Sequence, residues 1–216
     1  MSLPAISIRD LTRTFGGRTI LRGITLNVDR GETLVVRGKN GSGKTTLLEI
    51  LATLLHPSSG TVTVLGHDVV AAGRAVRSAI GYAPSATQSF YPRLNGRQNL
   101  ELFAAAYGVE PSALRRRVAT LLDRIGLAGA ARERVERYSD GMRARLSIAR
   151  ALLTDAPVLL LDEPMKSLDA QGRESARELI ARCGRGSRTA VWVTHDDAEA
   201  QSLATRTATL EDGVLR

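Results

Sequence analysis

The residues best suited to chemistry form one glycine-rich segment, Gly38-Lys39-Asn40-Gly41-Ser42-Gly43-Lys44-Thr45. Its glycines allow successive backbone N–H groups to point inward, and the helix expected after it would direct its positive dipole end to the same point. Such a loop binds phosphate oxygens, with the Lys44 ammonium near the outer phosphates and the Thr45 hydroxyl as a Mg²⁺ ligand. The spacing therefore predicts a site for the phosphates of a nucleotide.

A second chemical feature is the acidic pair Asp162-Glu163, which ends the apolar run Val158–Leu161. Two adjacent carboxylates at the end of a buried strand are costly without a cation. A Mg²⁺ ion held beside Thr45 would supply that charge for Asp162. Glu163 would then be free to orient or deprotonate an attacking water molecule.

A further anion site is indicated where Tyr138-Ser139-Asp140-Gly141-Met142 precedes an arginine-rich helix. The Ser139 hydroxyl, the backbone N–H groups around Gly141 and the dipole of that helix all favour negative charge. An ordinary Ser/Asp helix cap is the alternative, and a lone helix would favour it.

Strands and helices in alternation must position these groups. A β-branched run, residues 32–37, precedes the glycine loop, and a run of helix formers, residues 45–52, follows it. The other expected strands are Ile6–Arg9, Arg18–Leu21, Ile24–Asp29, Thr61–Leu65, Ile80–Ala83, Val158–Leu161, Thr189–Val193 and Thr207–Leu210, with turns at Gly16-Gly17 and Arg22-Gly23. The other expected helices are Leu94–Tyr107, Ser112–Ile125, Met142–Thr154, Ala170–Cys183 and Asp196–Ala204. This order predicts an α/β fold with N-terminal antiparallel strands and a mainly parallel sheet between helices.

The pattern also predicts one domain over residues 1–216. Residues 1–87 and 156–216 would form the catalytic core, and about 88–155, where helical spacing replaces strand patterns, would form an inserted α-helical subdomain. At 43% hydrophobic and 24% charged residues, the composition excludes disordered, collagen-like and channel-forming proteins.

Location and charge are less specific. No apolar run approaches the roughly 18 residues of a membrane span, Met1–Ala5 lacks the pattern of a secretion signal, and the single Cys183 fits a reducing cytosol.

The net charge of +8 favours polyanionic ligands. Lysine occurs only at Lys39, Lys44 and Lys166, however, so the basic residues are nearly all arginine, and a GC-rich genome explains that bias equally well.

Taken in order, these motifs make the chain resemble the nucleotide-binding subunit of an ATP-binding cassette (ABC) transporter, over roughly residues 5–215. Gly38–Thr45 resembles the Walker A motif of that family, and Leu159–Glu163 resembles its Walker B motif. Tyr138–Met142 resembles the signature, Ser167–Asp169 the D-loop and Thr194–Asp196 the switch-histidine loop. Each later motif is weak alone, but all of them in family order are specific.

The resemblance implies the P-loop NTPase fold of an ABC ATPase, with ATP and Mg²⁺ as ligands and two subunits packed head to tail around two ATP molecules. It implies that Phe15 stacks on adenine and that Ser139 and Gly141 contact a γ-phosphate bound to the partner subunit. The implied nucleotide-binding set is Phe15, Gly38, Lys39, Asn40, Gly41, Ser42, Gly43, Lys44, Thr45, Thr46, Ser139 and Gly141. Thr45 and Asp162 would hold the metal, Glu163 would be the catalytic base, and His195 would contact the γ-phosphate.

Two positions depart from the family pattern. Ser85 follows Pro84 where the family usually has glutamine, so either Ser85, through a water molecule, or Gln88, after a loop rearrangement, is the candidate replacement. In the signature, Asp140 replaces glycine and Met142 replaces glutamine, and Asp140 is acceptable near an anion only if it points outward. Neither change predicts an inactive site.

The favoured function is the ATP-hydrolysing motor of an exporter, working through a separate membrane-spanning permease. The subunit would lie in the cytoplasm against the inner face of the membrane, and it would form a homodimer or heterodimer when ATP binds. An exposed patch of Phe90, Tyr91 and Pro92 is the candidate docking surface.

The alternative function is that of a soluble ABC-type ATPase acting on DNA or another macromolecule. The DNA-acting proteins of this kind carry a long coiled coil between the two motifs, and sustained heptads are missing between Lys44 and Asp162, so nucleic acid is not the expected partner. A two-cassette ATPase would need a second phosphate loop, and the sequence has one. A P-loop kinase or GTPase would not explain the signature segment.

Overall fold

The computed structural model describes residues 3–85, 89–184, 188–196, 199–201 and 204–216. The strands are β1 (Ile6–Phe15), β2 (Arg18–Val28), β3 (Thr33–Arg37), β4 (Ser59–Val64), β5 (His67–Asp68), β6 (Ile80–Ala83), β7 (Val158–Asp162), β8 (Thr189–Thr194), β9 (Arg206–Glu211) and β10 (Val214–Leu215). The helices are α1 (Lys44–Leu51), α2 (Gly73–Ala79), α3 (Gly96–Ala106), α4 (Pro111–Arg124), α5 (Asp140–Ala151) and α6 (Ala170–Gly184). The predicted fold class is confirmed.

The larger sheet has the strand order β10-β9-β3-β8-β7-β6. Strands β9, β3, β8, β7 and β6 run parallel, and β10 pairs antiparallel with β9. The carboxyl ends of β3, β7 and β8 therefore meet at one edge of the sheet. Ligands of open α/β sheets bind outside the carboxyl ends of the strands, so this edge is where the chemical residues converge.

Both faces of this sheet are covered, and β7 shows how. Leu159 and Leu161 face a core built with α3, α4, α5 and α6, whereas Val158 and Leu160 face a second core that includes α1 and the antiparallel sheet. All five residues of β7 are buried. Burial on both faces explains why this strand reads as an unbroken apolar run rather than as an alternating one.

The smaller sheet is antiparallel, with the order β2-β1-β4-β5. The prediction of two strands separated by a turn at Arg22-Gly23 is wrong, because β2 continues through both residues. Gly23 has a φ of 62°, and the register against β1 shifts between Leu11 and Arg13, so a bulge lies where a turn was expected. Strand β1 is also longer than predicted and ends at Phe15.

Within residues 89–155, the described elements are α3, α4, α5 and a 3₁₀ turn at Val135–Arg137. The sequence patterns missed α2, β5 and β10, which are too short to show a clear period. Of the helix expected over Asp196–Ala204, residues 199–201 are helical and part of the remainder lies outside the described residues, as does Gln88. No helix in the described part of the chain is both long and apolar enough to cross a bilayer.

Candidate functional site

The glycine loop between β3 and α1 has the backbone that its sequence predicted. Gly41 and Gly43 have φ values of 81° and 107°, in the region that favours glycine, and Gly43 is the N-cap of α1. A Cβ on Gly38 would collide with the carbonyl oxygen of Leu210 and would lie 2.7 Å from the Ser42 hydroxyl. Glycine is required there because the loop passes so close to β9.

Lys44 lies inside this loop rather than in solvent. It is 5% exposed, and its Nζ donates hydrogen bonds to the carbonyl oxygens of Gly38 at 2.7 Å and Lys39 at 3.0 Å. Burial lowers the pKa of Lys44, while the nearby carboxylates of Glu163 and Asp162 oppose that effect. The ammonium group is therefore held within the loop, close to the acidic pair.

The loop also contains a buried polar atom that lacks a partner. Within the described residues, the Ser42 hydroxyl oxygen is buried without a hydrogen bond. Beside the loop, a cleft of about 570 Å³ is lined by Arg37, Gly38, Lys39, Asn40, His195, Thr209 and Glu211. An unsatisfied hydroxyl costs free energy that a bound phosphate oxygen would recover, so the loop fits the phosphates of a nucleotide.

The strand ends bring Thr45 and Asp162 together. The Thr45 hydroxyl donates to Asp162, at 3.1 Å from Oδ2 and 3.4 Å from Oδ1. Asp162 is 2% exposed, and burial raises its pKa, with Glu163 adding to the rise and the Thr45 hydrogen bond opposing it. A buried carboxylate beside a hydroxyl is a suitable oxygen-ligand pair for Mg²⁺, whose charge would relieve the burial of Asp162.

Ser85 approaches the same carboxylate through its main chain. Its backbone N–H group donates a hydrogen bond to Asp162. The segment in which the family usually has glutamine therefore contacts the metal-ligand candidate, and the role of the Ser85 side chain stays a prediction.

Glu163 begins the turn after β7 in a left-handed conformation, with a φ of 45°. Its Oε1 lies 3.2 Å from Nδ1 of His195. Its Oε2 lies 2.9 Å from Nζ of Lys166, in an ion pair. Burial raises the pKa of Glu163, but Lys166 and His195 together outweigh burial, so the net direction is downward. The carboxylate is charged and held from both sides.

The loop that carries His195 is held by a network of hydrogen bonds and ion pairs around the buried carboxylate of Glu199. The Thr194 hydroxyl donates to Oε2 of Glu199 at 2.8 Å, and the Asp196 N–H donates to that same hydroxyl at 3.0 Å. Arg173 of α6 pairs with Asp196 at 3.1 Å and with Glu199 at 3.6 Å. Sequence reasoning missed Arg173, Glu199 and Lys166, although the scarcity of lysine was a signal for Lys166.

The signature segment forms the start of α5. Ser139 is its N-cap and accepts a hydrogen bond from the Met142 N–H at 3.2 Å. Asp140 points outward, with 65% of its side chain exposed, and it pairs with Arg143 at 3.0 Å. A Cβ on Gly141 would lie 2.9 Å from the carbonyl oxygen of Ser167. Ser139 and Gly141 do not line the described cleft at the glycine loop.

Phe15 and the expected docking patch lie at the surface, with one correction. Phe15 is 41% exposed at the tip of the β1–β2 hairpin.

In the expected docking patch, Tyr91 is 54% exposed and Pro92 is exposed. Phe90 is half-buried, because its ring packs edge-to-face on Phe103 with centroids 6.0 Å apart. Phe90 therefore belongs partly to the core of the helical region, and its expected exposure is wrong.

Comparison with known proteins gives consistent relatives. A profile described as ABC transporter matches residues 21–166. The daunorubicin resistance ATP-binding protein DrrA3 of Streptomyces coeruleorubidus is 39% identical over 99% of this chain and 67% of its own length. The ABC transporter ATP-binding protein NatA of Bacillus subtilis is 32% identical over 96% of this chain and 86% of its own. The Nod factor export ATP-binding protein I of Burkholderia orbicola is 36% identical over 99% and 70%.

Solved structures agree with these relatives. The dimeric post-hydrolysis structure of the ATP-binding cassette MJ0796, bound to ADP and Pi, superposes with a TM-score of 0.89 at 26% identity, covering 98% of this chain and 96% of that one. The structure of an ATP-binding subunit of an ABC transporter gives a TM-score of 0.89 at 26% identity, covering 98% and 88%.

Proposed function

The chain belongs to the ABC transporter family, and we propose that it is the subunit whose ATP hydrolysis powers export through a separate permease. Its role as an ATP-binding and ATP-hydrolysing subunit follows from the family and its relatives. The observation that carries the proposal is the convergence of Lys44, Thr45, Asp162, Glu163 and His195 at one edge of the parallel sheet. The similarity to named transporter subunits also favours transport over the alternative of an ATPase that acts on DNA.

The glycine loop would hold the triphosphate. The backbone N–H groups of residues 38–46, Thr46 included, would donate to its oxygens, and the Lys44 ammonium would leave the Gly38 and Lys39 carbonyls for the outer phosphates. The Thr45 hydroxyl and the Asp162 carboxylate would hold Mg²⁺, which neutralises charge on the phosphates when bound. The Ser42 hydroxyl would gain the partner that it lacks within the described residues.

Glu163 is the proposed catalytic base. Its carboxylate is charged and held on both oxygens, so it would accept a proton from an attacking water, or orient that water, without first having to be turned into place. His195 lines the cleft beside the glycine loop and also contacts Glu163. Both contacts suit a side chain that would bind the γ-phosphate next to the catalytic carboxylate. Asp162 and Glu163, adjacent in sequence, thus divide metal binding and proton transfer between them.

A second copy would complete the site. Ser139 and Gly141 start a helix whose dipole favours an anion, yet they do not line the described cleft of their own chain. We propose that they bind the γ-phosphate held by a partner subunit, as the dimeric cassette structures suggest. Because one phosphate would then be shared by two half-sites, ATP would close the dimer and hydrolysis would weaken it.

The permease would dock near Tyr91 and Pro92, at the cytoplasmic face of the membrane. The partly exposed aromatic cluster there consists of Phe90, Tyr91, Phe103 and Tyr107. Arg150 of α5 joins this cluster to the signature helix, because its guanidinium lies 3.8 Å from the Phe103 ring centroid and donates to the Tyr107 hydroxyl at 2.9 Å. A movement of the permease would therefore reach α5 directly.

The test is Glu163→Gln, with Glu174→Gln on the exposed face of α6 as the matched control. Glu163→Gln removes the base and keeps the shape, so we expect hydrolysis to fall by about a thousand-fold and ATP with Mg²⁺ to shift the protein to a dimer on size-exclusion chromatography. Lys44→Ala should abolish both ATP binding and the dimer. A Glu163→Gln protein that stays monomeric at saturating ATP and hydrolyses it normally would overturn the assignment.

A further inference from the structure

One face of the Phe15 ring is occupied by a neighbouring cation. The guanidinium carbon of Arg13 lies 4.2 Å from the centroid of the Phe15 ring. The two residues stand two positions apart on β1, so both side chains emerge on the same side of the strand. This distance is that of a cation–π interaction, in which the planar guanidinium lies over the negative face of the ring.

Arg13 contacts the body of the protein as well as the Phe15 ring. Its Nη1 donates a hydrogen bond to the carbonyl oxygen of His56 at 3.0 Å, and its Nε is buried, without a hydrogen-bond partner among the described residues. The guanidinium therefore lies between the ring and the body of the protein. Phe15 is nevertheless 41% exposed, so part of the residue outside this contact is open to solvent.

The hairpin that carries Phe15 also touches the glycine loop. Phe15 pairs with Arg18 across the turn, and Ile20 follows two residues later on β2. A Cβ on Gly43 would lie 3.2 Å from a methyl carbon of Ile20 and 2.7 Å from one of Leu21. Phe15 thus ends β1 of a hairpin whose other strand, β2, packs against the loop expected to hold the phosphates.

We propose that Arg13 is a positioning residue for the nucleobase, holding the Phe15 ring from behind so that an adenine stacks on its free face. This inference rests on the proposed function, in which Phe15 contacts the base. The expected ligand is a planar aromatic base linked to a polyphosphate, and Arg13 itself does not touch it. A ring already held in place loses less rotational freedom when the base stacks, so binding is stronger.

A purely structural role for Arg13 predicts a different result. Its hydrogen bond to His56 joins β1 to the segment that follows α1, the helix that carries Lys44. If that link served only to hold α1 in place, its loss would weaken binding of the phosphates and of the whole nucleotide alike. If Arg13 acts through Phe15, only ligands with a base are affected.

The experiment compares ligands with and without a base on the full chain. The dissociation constant of ADP with Mg²⁺ is measured by calorimetry, and tripolyphosphate is measured by its inhibition constant against ATP hydrolysis. We expect Arg13→Ala to weaken ADP by about five-fold and to raise the KM for ATP similarly, with kcat and the tripolyphosphate constant unchanged. Arg13→Lys should restore part of the loss. Arg9→Ala, which removes an exposed charge from the same strand, is the matched control and should change neither constant.

Phe15→Ala separates failure of this inference from failure of the proposed adenine contact. If Phe15→Ala leaves the affinity for ADP unchanged, adenine does not stack on Phe15, and the inference about Arg13 is wrong as well. If Phe15→Ala weakens ADP binding and Arg13→Ala does not, adenine does stack on Phe15 and only the role of Arg13 is wrong. Equal weakening of ADP and tripolyphosphate by Arg13→Ala would also overturn it, because that result marks a structural role.

Discussion

The Nη1 atom of Arg173 lies 3.1 Å from Oδ2 of Asp196, which joins helix α6 to the loop that carries His195. The same guanidinium donates through Nε to the carbonyl oxygen of Leu168 at 3.1 Å. Arg173 therefore contacts both the 167–169 segment, whose Ser167 carbonyl lies against Gly141 of the signature segment, and the loop that carries His195. Through this residue, the placement of the 167–169 segment and the placement of His195 are physically connected.

Replacement of Arg173 by methionine should uncouple the two loops. The buried Glu199 carboxylate would lose a cation 3.6 Å away, so we expect a loss of about 1–3 kcal/mol in the free energy of unfolding. Because His195 would be less well placed, kcat should fall by about ten-fold, with a smaller change in KM. Urea unfolding and steady-state kinetics check both. Arg173→Lys keeps the charge but not the two-sided contact, so full kinetic rescue by lysine would contradict the coupling.

Lys166 controls the charge state of the proposed base. Because its ammonium lies 2.9 Å from Glu163 and helps to lower the pKa of that carboxyl, Lys166→Met should raise this pKa. Glu163 acts as a base only when deprotonated, so the acidic limb of the pH profile of kcat/KM should move to higher pH. Lys166→Arg should leave the limb in place. An unmoved limb in Lys166→Met would show that the ion pair does not influence the base.

Asp162→Asn should separate stability from activity. Burial raises the pKa of Asp162 in the folded protein, so its ionised form destabilises the fold at neutral pH when Mg²⁺ is not bound. We expect Asp162→Asn to melt at a higher temperature than the parent without ligand, with the gain shrinking as pH falls through the folded pKa of Asp162. Hydrolysis dependent on Mg²⁺ should fall by about a hundred-fold or more, because the proposed metal ligand is lost. A variant that is less stable than the parent at neutral pH would show that the ionised Asp162 carboxylate does not destabilise the folded protein.

Asp155 links the helical region to the core. Its carboxylate pairs with Arg117 of α4 at 2.8 Å and with Arg188, just before β8, at 2.9 Å. The Arg117 hydrogen bond, then the charges of Arg117 and Arg188, lower the pKa of Asp155 against a smaller opposing effect of burial. The stabilisation is therefore present above the pKa of the unfolded chain and is lost as pH falls through the lower folded value.

Asp155→Asn should accordingly lower the melting temperature at neutral pH by a few degrees, since each pair of this partly exposed kind contributes about 1 kcal/mol or less. The difference from the parent should decrease with added salt and disappear in acid, below the folded pKa. A difference independent of both pH and salt would assign the effect to packing instead. Glu211→Gln, which weakens an exposed pair with Arg216, is the control.

The sequence by itself determined the fold class and the central chemistry of this protein. The positions of Gly38–Thr45 between a strand and a helix and of Asp162-Glu163 at the end of a buried strand could be predicted, because neighbouring residues dictate local backbone; their phosphate, metal and catalytic roles stay predictions. Ile80–Ala83 was predicted with its bounds, since a short apolar strand closed by proline is a local signal. The roles predicted for Ser139, His195 and Phe15 depend on a partner or a ligand, and they stay predictions.

Only the tertiary structure decided which side chains meet. Arg173 and Glu199 meet because α6 and the segment after β8 come together in the folded chain, and no local pattern encodes that approach. Lys166 meets Glu163 through the turn after β7, three residues along the chain. Likewise, the bulge at Gly23 arises from pairing with β1, and Phe90 is half-buried because Phe103 of α3 lies beneath it. Periodicity reports which face of an element is buried, whereas the identity of the contacting atoms depends on how distant elements pack.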